Sequence, residues 1–259
     1  MSNSLSIVGI QADLSWENPK ENILNFERKI YAINKEIDLI ILPEMFNSGF
    51  TMHPKNIAEE MNGPSVLWMK KVAEEKNTAI VGSLVIKEES KFFNRLIFVH
   101  PSGKLEFYNK RHLFTLAGEH KAYTSGKEKL IVEYKGWKIC PLICYDLRFP
   151  IWARNSENYD LLIFIANWPV ARIEAWKALL KARAIENLSY TIGVNRTGKD
   201  ANNYEYSGDS LIIDYLGNTI SKIDNSNEGI LHKIIDKNAQ DSTREKLGFL
   251  EDKDLFFIQ

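Results

Sequence analysis

The chain has little that would serve a macromolecular partner, a metal or a membrane. Only two of its 259 residues are cysteine, Cys140 and Cys144, too few for a disulfide framework. If residues 138–144 form a strand, the two lie about 13 Å apart at ~3.3 Å per residue, on one face and beyond bridging range. The five histidines are scattered without a His-x-x-x-His spacing and no Cys-x-x-Cys occurs, so no metal site is indicated. Neither sign of charge dominates: 33 Lys and Arg face 34 Asp and Glu, for a net charge of -1. With no basic block, nucleic acid is not an expected partner. No apolar run approaches the ~20 residues of a membrane span. Met1–Ser6 also lacks the basic and apolar regions of a signal peptide. A soluble, cytoplasmic protein is expected. No linker or low-complexity stretch divides the chain, so one domain over 1–259 is expected.

What is present is alternation of apolar runs with helical patterns. Ser6–Ala12, Asp38–Leu42, Thr78–Val85, Asn94–His100 and Leu105–Asn109 read as strands in the first half, the last two joined by a turn that carries Gly103. Asn18-Pro19-Lys20-Glu21 opens a helix, with Asn at the cap and Glu placed to reach back. A further helix is expected around Val66–Lys76. In the second half the cysteine strand leads to a helix over about 149–157, then to strands at Asp160–Ala166, Tyr190–Asn195, Ser210–Asp214 and Gly229–Ile235. Gly217-Asn218 predicts a hairpin turn between the last two. Ile173, Trp176, Leu180, Ala184 and Leu188 share one face of a helix beginning near Arg172. From Asn238 a charged helix is followed by Leu255-Phe256-Phe257-Ile258. Strands outnumber helices, which points to an α/β fold with two sheets packed face to face and helices outside. Periodicity leaves a single wound sheet as the alternative.

Three reactive side chains stand where apolar strands stop. Glu44 follows Ile40-Ile41-Leu42-Pro43, Lys110 follows Phe107-Tyr108-Asn109, and Cys144 follows Leu142-Ile143. If these strands neighbour one another, a carboxylate, an ammonium and a thiol converge. A cation there lowers the cysteine's pKa, and a carboxylate in reach takes the thiol proton. Lys110 and the backbone N–H of Tyr145 can then hold a developing oxyanion. Glu119 is a fourth candidate, to orient Lys110 or assist a proton transfer. Taken one by one these are a solvated turn glutamate, an exposed lysine and a small buried cysteine; Cys140 we read as packing.

The blocks Leu42-Pro43-Glu44-Met45-Phe46, Tyr108-Asn109-Lys110-Arg111-His112-Leu113 and Leu142-Ile143-Cys144-Tyr145-Asp146-Leu147-Arg148-Phe149-Pro150 resemble, in order, the three catalytic blocks of the carbon–nitrogen hydrolase (nitrilase) family. The resemblance runs from the first strand to about Asp236. It implies a four-layer αββα sandwich, no metal or other cofactor, and a homodimer in which the sandwich continues across the interface, with the segment from about 238 to 259 a candidate for that interface. Residue by residue it makes Glu44 the general base, Lys110 the oxyanion and positioning group, Cys144 the nucleophile and Glu119 a supporting glutamate.

Within the family, Ala166-Asn167-Trp168-Pro169 with Arg172, and Lys181–Asn187, look most like the omega-amidase branch. That branch implies a small-molecule substrate, the terminal amide of 2-oxoglutaramate or 2-oxosuccinamate, released as ammonia and a dicarboxylate. The Cys-Tyr-Asp-Leu-Arg-Phe-Pro run is shared with deaminated-glutathione amidases, and a nitrilase proper remains an alternative. A non-catalytic binding protein is disfavoured by the intact Glu–Lys–Cys set. A substrate carboxylate requires a fixed cation. Arg148 is expected to brace its turn against Asp146, which leaves Arg172, at a helix start beyond a strand end, as the candidate. Trp168 reads as pocket wall, with core as the alternative.

Overall fold

The computed structural model describes residues 3–223, 226–254 and 256. From the N-terminus run β1 (Ser4–Gln11), α1 (Pro19–Tyr31), β2 (Leu39–Ile41), α2 (Pro54–Ile57), α3 (Pro64–Glu75), β3 (Ala79–Glu88), β4 (Lys91–Val99), β5 (Leu105–Asn109) and α4 (Glu119–Ala122). Next come β6 (Val132–Tyr134), β7 (Trp137–Ile143), a 3-10 turn over Cys144–Arg148, α5 (Pro150–Ala153), β8 (Leu161–Ala166), α6 (Ile173–Asn187) and β9 (Tyr190–Asn195). The rest is β10 (Thr197–Lys199), β11 (Glu205–Ser207), β12 (Leu211–Ile213), β13 (Thr219–Lys222), β14 (Gly229–Asp236) and α7 (Lys237–Leu247).

Two six-stranded sheets form, in the orders β14-β1-β2-β3-β4-β5 and β13-β12-β9-β8-β7-β6, with β10-β11 a separate two-stranded ribbon. In each sheet the central pairs are parallel (β1-β2-β3 and β7-β8-β9) and the outer pairs antiparallel. Period-two alternation sorts the first sheet's side chains. Ile7, Ile41, Val81, Leu96 and Phe98 join the core shared with the second sheet. Val8, Ile40, Ile80 and Ile97 instead pack with Phe26 and Ile30 of α1 and Val66, Met69 and Val72 of α3. On the far side of the second sheet Trp176, Leu180 and Ala184 of α6 pack against it. The layers are therefore helix, sheet, sheet, helix, and the strands between two covered faces read as unbroken apolar runs, such as Leu161–Ala166.

Local signals behave as their chemistry requires. Asn18 caps α1, its Oδ1 accepting from Glu21 N at 3.3 Å while its Nδ2 donates to Glu21 Oε2 at 2.8 Å. The two sheets are the face-to-face arrangement, not a single wound sheet. Three details depart from the sequence reading. The Gly217-Asn218 turn joins β12 to β13, and β14 crosses to the first sheet to pair antiparallel with β1. The helix expected over 149–157 is only Pro150–Ala153, since Arg154 is already extended at ψ 134. Cys144 is not the last strand residue: with φ 45 it turns out of β7 into the 3-10 turn, so it does not share the strand geometry of Cys140. Leu255, Phe257 and Ile258 of the C-terminal apolar run lie outside the described residues.

The sheets approach closely at Gly9 of β1. A Cβ built there would sit 2.7 Å from Val194 Cγ2 of β9, a β-branched side chain with little room to move. Gly9→Val is expected to lower the denaturation midpoint by about 1–3 kcal/mol of stability through overpacking. A variant as stable as the wild type in urea titration would show that the sheets can separate freely at this point.

Candidate active site

The strands carrying the three reactive residues are not neighbours. β2 and β5 are separated by β3 and β4, and β7 belongs to the other sheet. The side chains meet because the segment after β2 keeps following β3: Leu42 N donates to Val81 O, Met45 N to Ser83 Oγ and Phe46 N to Ser83 O. This carries Glu44 past the end of its strand to the level of Asn94, which pairs with Val85 of β3 and whose carbonyl accepts from Lys110 N. Glu44 and Lys110 thus flank Asn94, on the face that looks toward Cys144.

Glu44, Lys110, Glu119 and Asn94 have no exposure to solvent. Lys110 Nζ donates to Glu44 Oε1 at 2.8 Å and to both oxygens of Glu119 at 3.0 Å. Burial acts to strip the ammonium of its proton, but the two carboxylates outweigh it and raise the lysine above its ordinary value. Glu119 is held in turn by Phe114 N at 2.6 Å. Burial and the neighbouring Glu44 push its carboxyl up, against the opposing pull of Lys110. The other oxygen of Glu44 accepts from Asn167 N at 2.8 Å, and Asn167 Nδ2 donates to the Glu44 carbonyl at 2.7 Å. Asn167 follows β8 and so ties the second sheet to the carboxylate of the first.

The thiol of Cys144 does not behave as the sequence reading expects. Burial, followed by the charge of Glu44, raises it well above its usual value, and Lys110 offsets only part of this. The cation is spent on two carboxylates before it reaches the sulfur, so the resting group is a thiol and not a thiolate. Its backbone is fixed from behind. Asp146 Oδ2 accepts from Ile143 N at 3.0 Å and from Tyr108 Oη at 2.8 Å, and Asp146 Oδ1 accepts from His112 N at 3.0 Å and contacts His112 Nδ1 at 2.7 Å. The His112 ring stacks on Phe149 at 3.7 Å. These contacts hold a non-glycine residue in the left-handed region, a conformation that costs about 1–3 kcal/mol.

Asp146 is thereby committed, which corrects the expected Asp146–Arg148 brace. Arg148 instead lies over the Trp168 ring at 4.9 Å, and Arg172 over the Phe114 ring at 5.1 Å. Neither arginine pairs with a carboxylate among the described residues. Both line, with Cys144, Tyr145 and Trp168, a cavity of about 540 Å³. Trp168 is both wall and core: it lines the cavity while packing on Trp176, and its Nε1 donates to Arg172 O at 2.7 Å. The β10-β11 ribbon supplies a further side, where Asp200 Oδ2 accepts from Tyr206 Oη at 2.8 Å. Among the described residues no cluster of three or more His, Cys, Asp or Glu is arranged for a metal ion, and no helix is long and apolar enough to cross a membrane.

Sequence alone gave Asn94 and the ribbon no role, placed Asn167 only within a family motif, and assigned Arg148 to a brace. Asn94 had one signal: it interrupts the apolar series Leu96 and Phe98 on its own strand face. The ribbon had none, because its place over the cavity is set by contacts distant in sequence, such as Thr197 N to Ala12 O.

The carbon–nitrogen hydrolase family profile matches residues 5–245. The chain is 42% identical over 254 residues to the omega-amidase YafV of Escherichia coli (strain K12), covering 97% of this chain and 98% of that one. It is 35% identical to the 2-oxoglutaramate amidase of Bacillus subtilis (strain 168), covering 95% of this chain and 97% of that one. A crystal structure of XC1258 from Xanthomonas campestris is described as a CN-hydrolase superfamily protein with an arsenic adduct in its active site. It superposes with a TM-score of 0.96 at 41% identity, covering 99% of each chain.

Cys140 is wholly buried, and burial pushes its thiol up to about 12. Iodoacetamide is therefore expected to label Cys144 alone. Because that thiol is raised, its alkylation rate should keep climbing as pH rises above 8. A rate that levels off near neutral pH would mean that Lys110 stabilises a resting thiolate after all.

Proposed function

Because the chain belongs to the carbon–nitrogen hydrolase family and is an amide-hydrolysing enzyme, we propose that it is an omega-amidase, releasing ammonia from 2-oxoglutaramate or 2-oxosuccinamate. The observation that carries the substrate is the pair of guanidinium groups, Arg148 and Arg172, unpaired with any described carboxylate and lining the same cavity as the Cys144 thiol. An amide that bears a carboxylate at its far end satisfies both requirements at once. The cavity volume, about 540 Å³, is in the range of small-molecule sites. Relatives of this chain carry the names omega-amidase and 2-oxoglutaramate amidase, which supports the same assignment.

In the proposed cycle Cys144 is the nucleophile, and its proton passes to Glu44 as sulfur attacks the amide carbon. Since the thiol rests protonated, transfer and attack occur together. The tetrahedral oxyanion lies between Lys110 Nζ and the N–H of Tyr145. Glu44 returns the proton to nitrogen, the C–N bond breaks, and ammonia leaves a thioester on Cys144. Glu44 then takes a proton from water, whose hydroxide adds to the thioester carbon. Collapse expels the sulfur, which regains its proton, and the dicarboxylate departs. Glu119 serves by holding Lys110 in place. A one-domain organisation, a cytoplasmic location and a homodimer, with the C-terminal segment at its interface, belong to the same proposal.

Cys144→Ala should abolish ammonia release from 2-oxoglutaramate while circular dichroism stays unchanged. Faster turnover of the matching nitrile than of the amide by the wild type would replace the amidase with a nitrilase. Arg172→Ala should weaken kcat/KM on 2-oxoglutaramate on the order of tenfold to a hundredfold, the worth of a charged hydrogen bond, and spare a neutral amide of similar length. Lysine at that position should restore activity only in part, lacking the planar fork. Equal losses on charged and neutral amides would remove Arg172 from carboxylate binding and leave Arg148 to do it.

A further inference from the structure

Asn94 has no part in the cycle above, yet it stands at its centre. The side chain is fully buried near the start of β4. Its Nδ2 lies 2.8 Å from Glu44 Oε1 and 3.3 Å from Glu119 Oε1. These are the two carboxylates that Lys110 also bridges. Its Oδ1 is buried and accepts no hydrogen bond among the described residues. Turning the amide over would set Oδ1 against two carboxylate oxygens, acceptor against acceptor. The carboxylates therefore dictate the orientation of Asn94, even though one buried carbonyl stays unpaired.

The charge arrangement explains why a neutral donor is needed here. One cation lies between two buried carboxylates, so the centre has an excess of negative charge in a medium that screens it poorly. A second cation would compete with Lys110 for the oxyanion. A leucine would leave both carboxylates a donor short, and an aspartate would add a third negative charge. We propose that Asn94 is a positioning residue that shares its amide hydrogens between Glu44 and Glu119 and keeps Glu44 ready to accept the Cys144 proton. The proposal rests on the amide-hydrolase reading of the site but not on which amide is cleaved.

The charged and titratable groups around this pair come from several elements. Lys110 follows β5, Glu119 is on α4, Cys144 opens the 3-10 turn, Tyr123 follows α4 with its Oη donating to Thr51 O, and Tyr206 of the ribbon faces the thiol. The ammonium is raised, and so are both tyrosines, chiefly by burial for the tyrosines. None of these three changes charge between acid and neutral pH, so an acid limb that moves on substitution of Asn94 is not theirs.

The experiment is the pH dependence of kcat/KM on 2-oxoglutaramate for the wild type, Asn94→Leu and Asn94→Asp, with melting curves for all three. Loss of a donor to ionised carboxylates favours their protonation, so the acid limb should move upward, by about one pH unit for Asn94→Leu. Below the limb, activity should fall roughly tenfold, and it should recover toward the wild-type plateau as pH rises. KM should change little. Asn94→Asp, near-isosteric, should move the limb further in the same direction. A uniform loss at every pH, or a lower melting point with an unmoved limb, would make Asn94 a packing residue and overturn the proposal. Should Asn94→Leu fail to fold, an unmoved limb in Asn94→Asp has the same consequence. A wild type inactive on 2-oxoglutaramate would instead sink the substrate assignment. The comparison of variant with wild type is then made on whichever small amide the wild type hydrolyses.

Discussion

The buried ammonium of Lys110 between two buried carboxylates is the constraint on which the rest of the site depends. A lone ammonium cannot remain charged at zero exposure, and neither can an isolated carboxylate. The ammonium is tolerable because both carboxylates lie within 3.0 Å of it, and each carboxylate because the ammonium does. That mutual need fixes three pieces of chain at once: the segment after β2, the end of β5, and the loop from Phe114 to Glu119, whose N–H and carboxylate close on each other. Such a cluster is weak evidence for stability, because desolvation offsets much of its attraction. Its value lies in geometry, since it fixes where the three segments meet.

The same constraint bears on the Cys144 thiol. Burial, and after it the charge of Glu44, raises that thiol, and an ammonium already shared by two anions offsets only part of this. In the proposed cycle activation therefore occurs during attack rather than before it. This suits an enzyme of small amides, whose site must remain inert toward water and stray electrophiles until a substrate carbonyl is in place. The strained turn at Cys144 fits that view. Tyr108, His112 and the backbone of Ile143 all converge on Asp146, which clamps the turn from the side away from the cavity.

The proposed carboxylate recognition draws on a different part of the molecule. Arg148 and Arg172 rest on aromatic faces, Trp168 and Phe114, and not on carboxylates. An aromatic face holds a guanidinium in position without neutralising it, at about 0.5–2 kcal/mol, and leaves its N–H fork free for a ligand. Glu44, Lys110 and Cys144 all lie just beyond strand ends, and the two arginines lie in the turns that follow β7 and β8.

The sequence alone determined the class of fold and pointed to the candidate catalytic residues. Glu44, Lys110, Glu119 and Cys144 stand in blocks whose order is specific, and the apolar runs around them carry the period of strands covered on both faces. These are local properties, and a strand end or a helix cap is written within a few residues of itself. Tertiary structure decided what those residues are next to. It gave Asp146 to His112 and Tyr108 and freed Arg148 for the cavity. It sent β14 to the first sheet, and it laid the β10-β11 ribbon beside Cys144. It also reversed the expected state of Cys144, because a pKa follows from the burial and the competing charges around a group, and those come from segments up to a hundred residues away. Asn94 shows the boundary most plainly. Its polarity on an apolar strand face is visible in the sequence, but only the convergence of Glu44 and Glu119 on one amide nitrogen gives that polarity a reason.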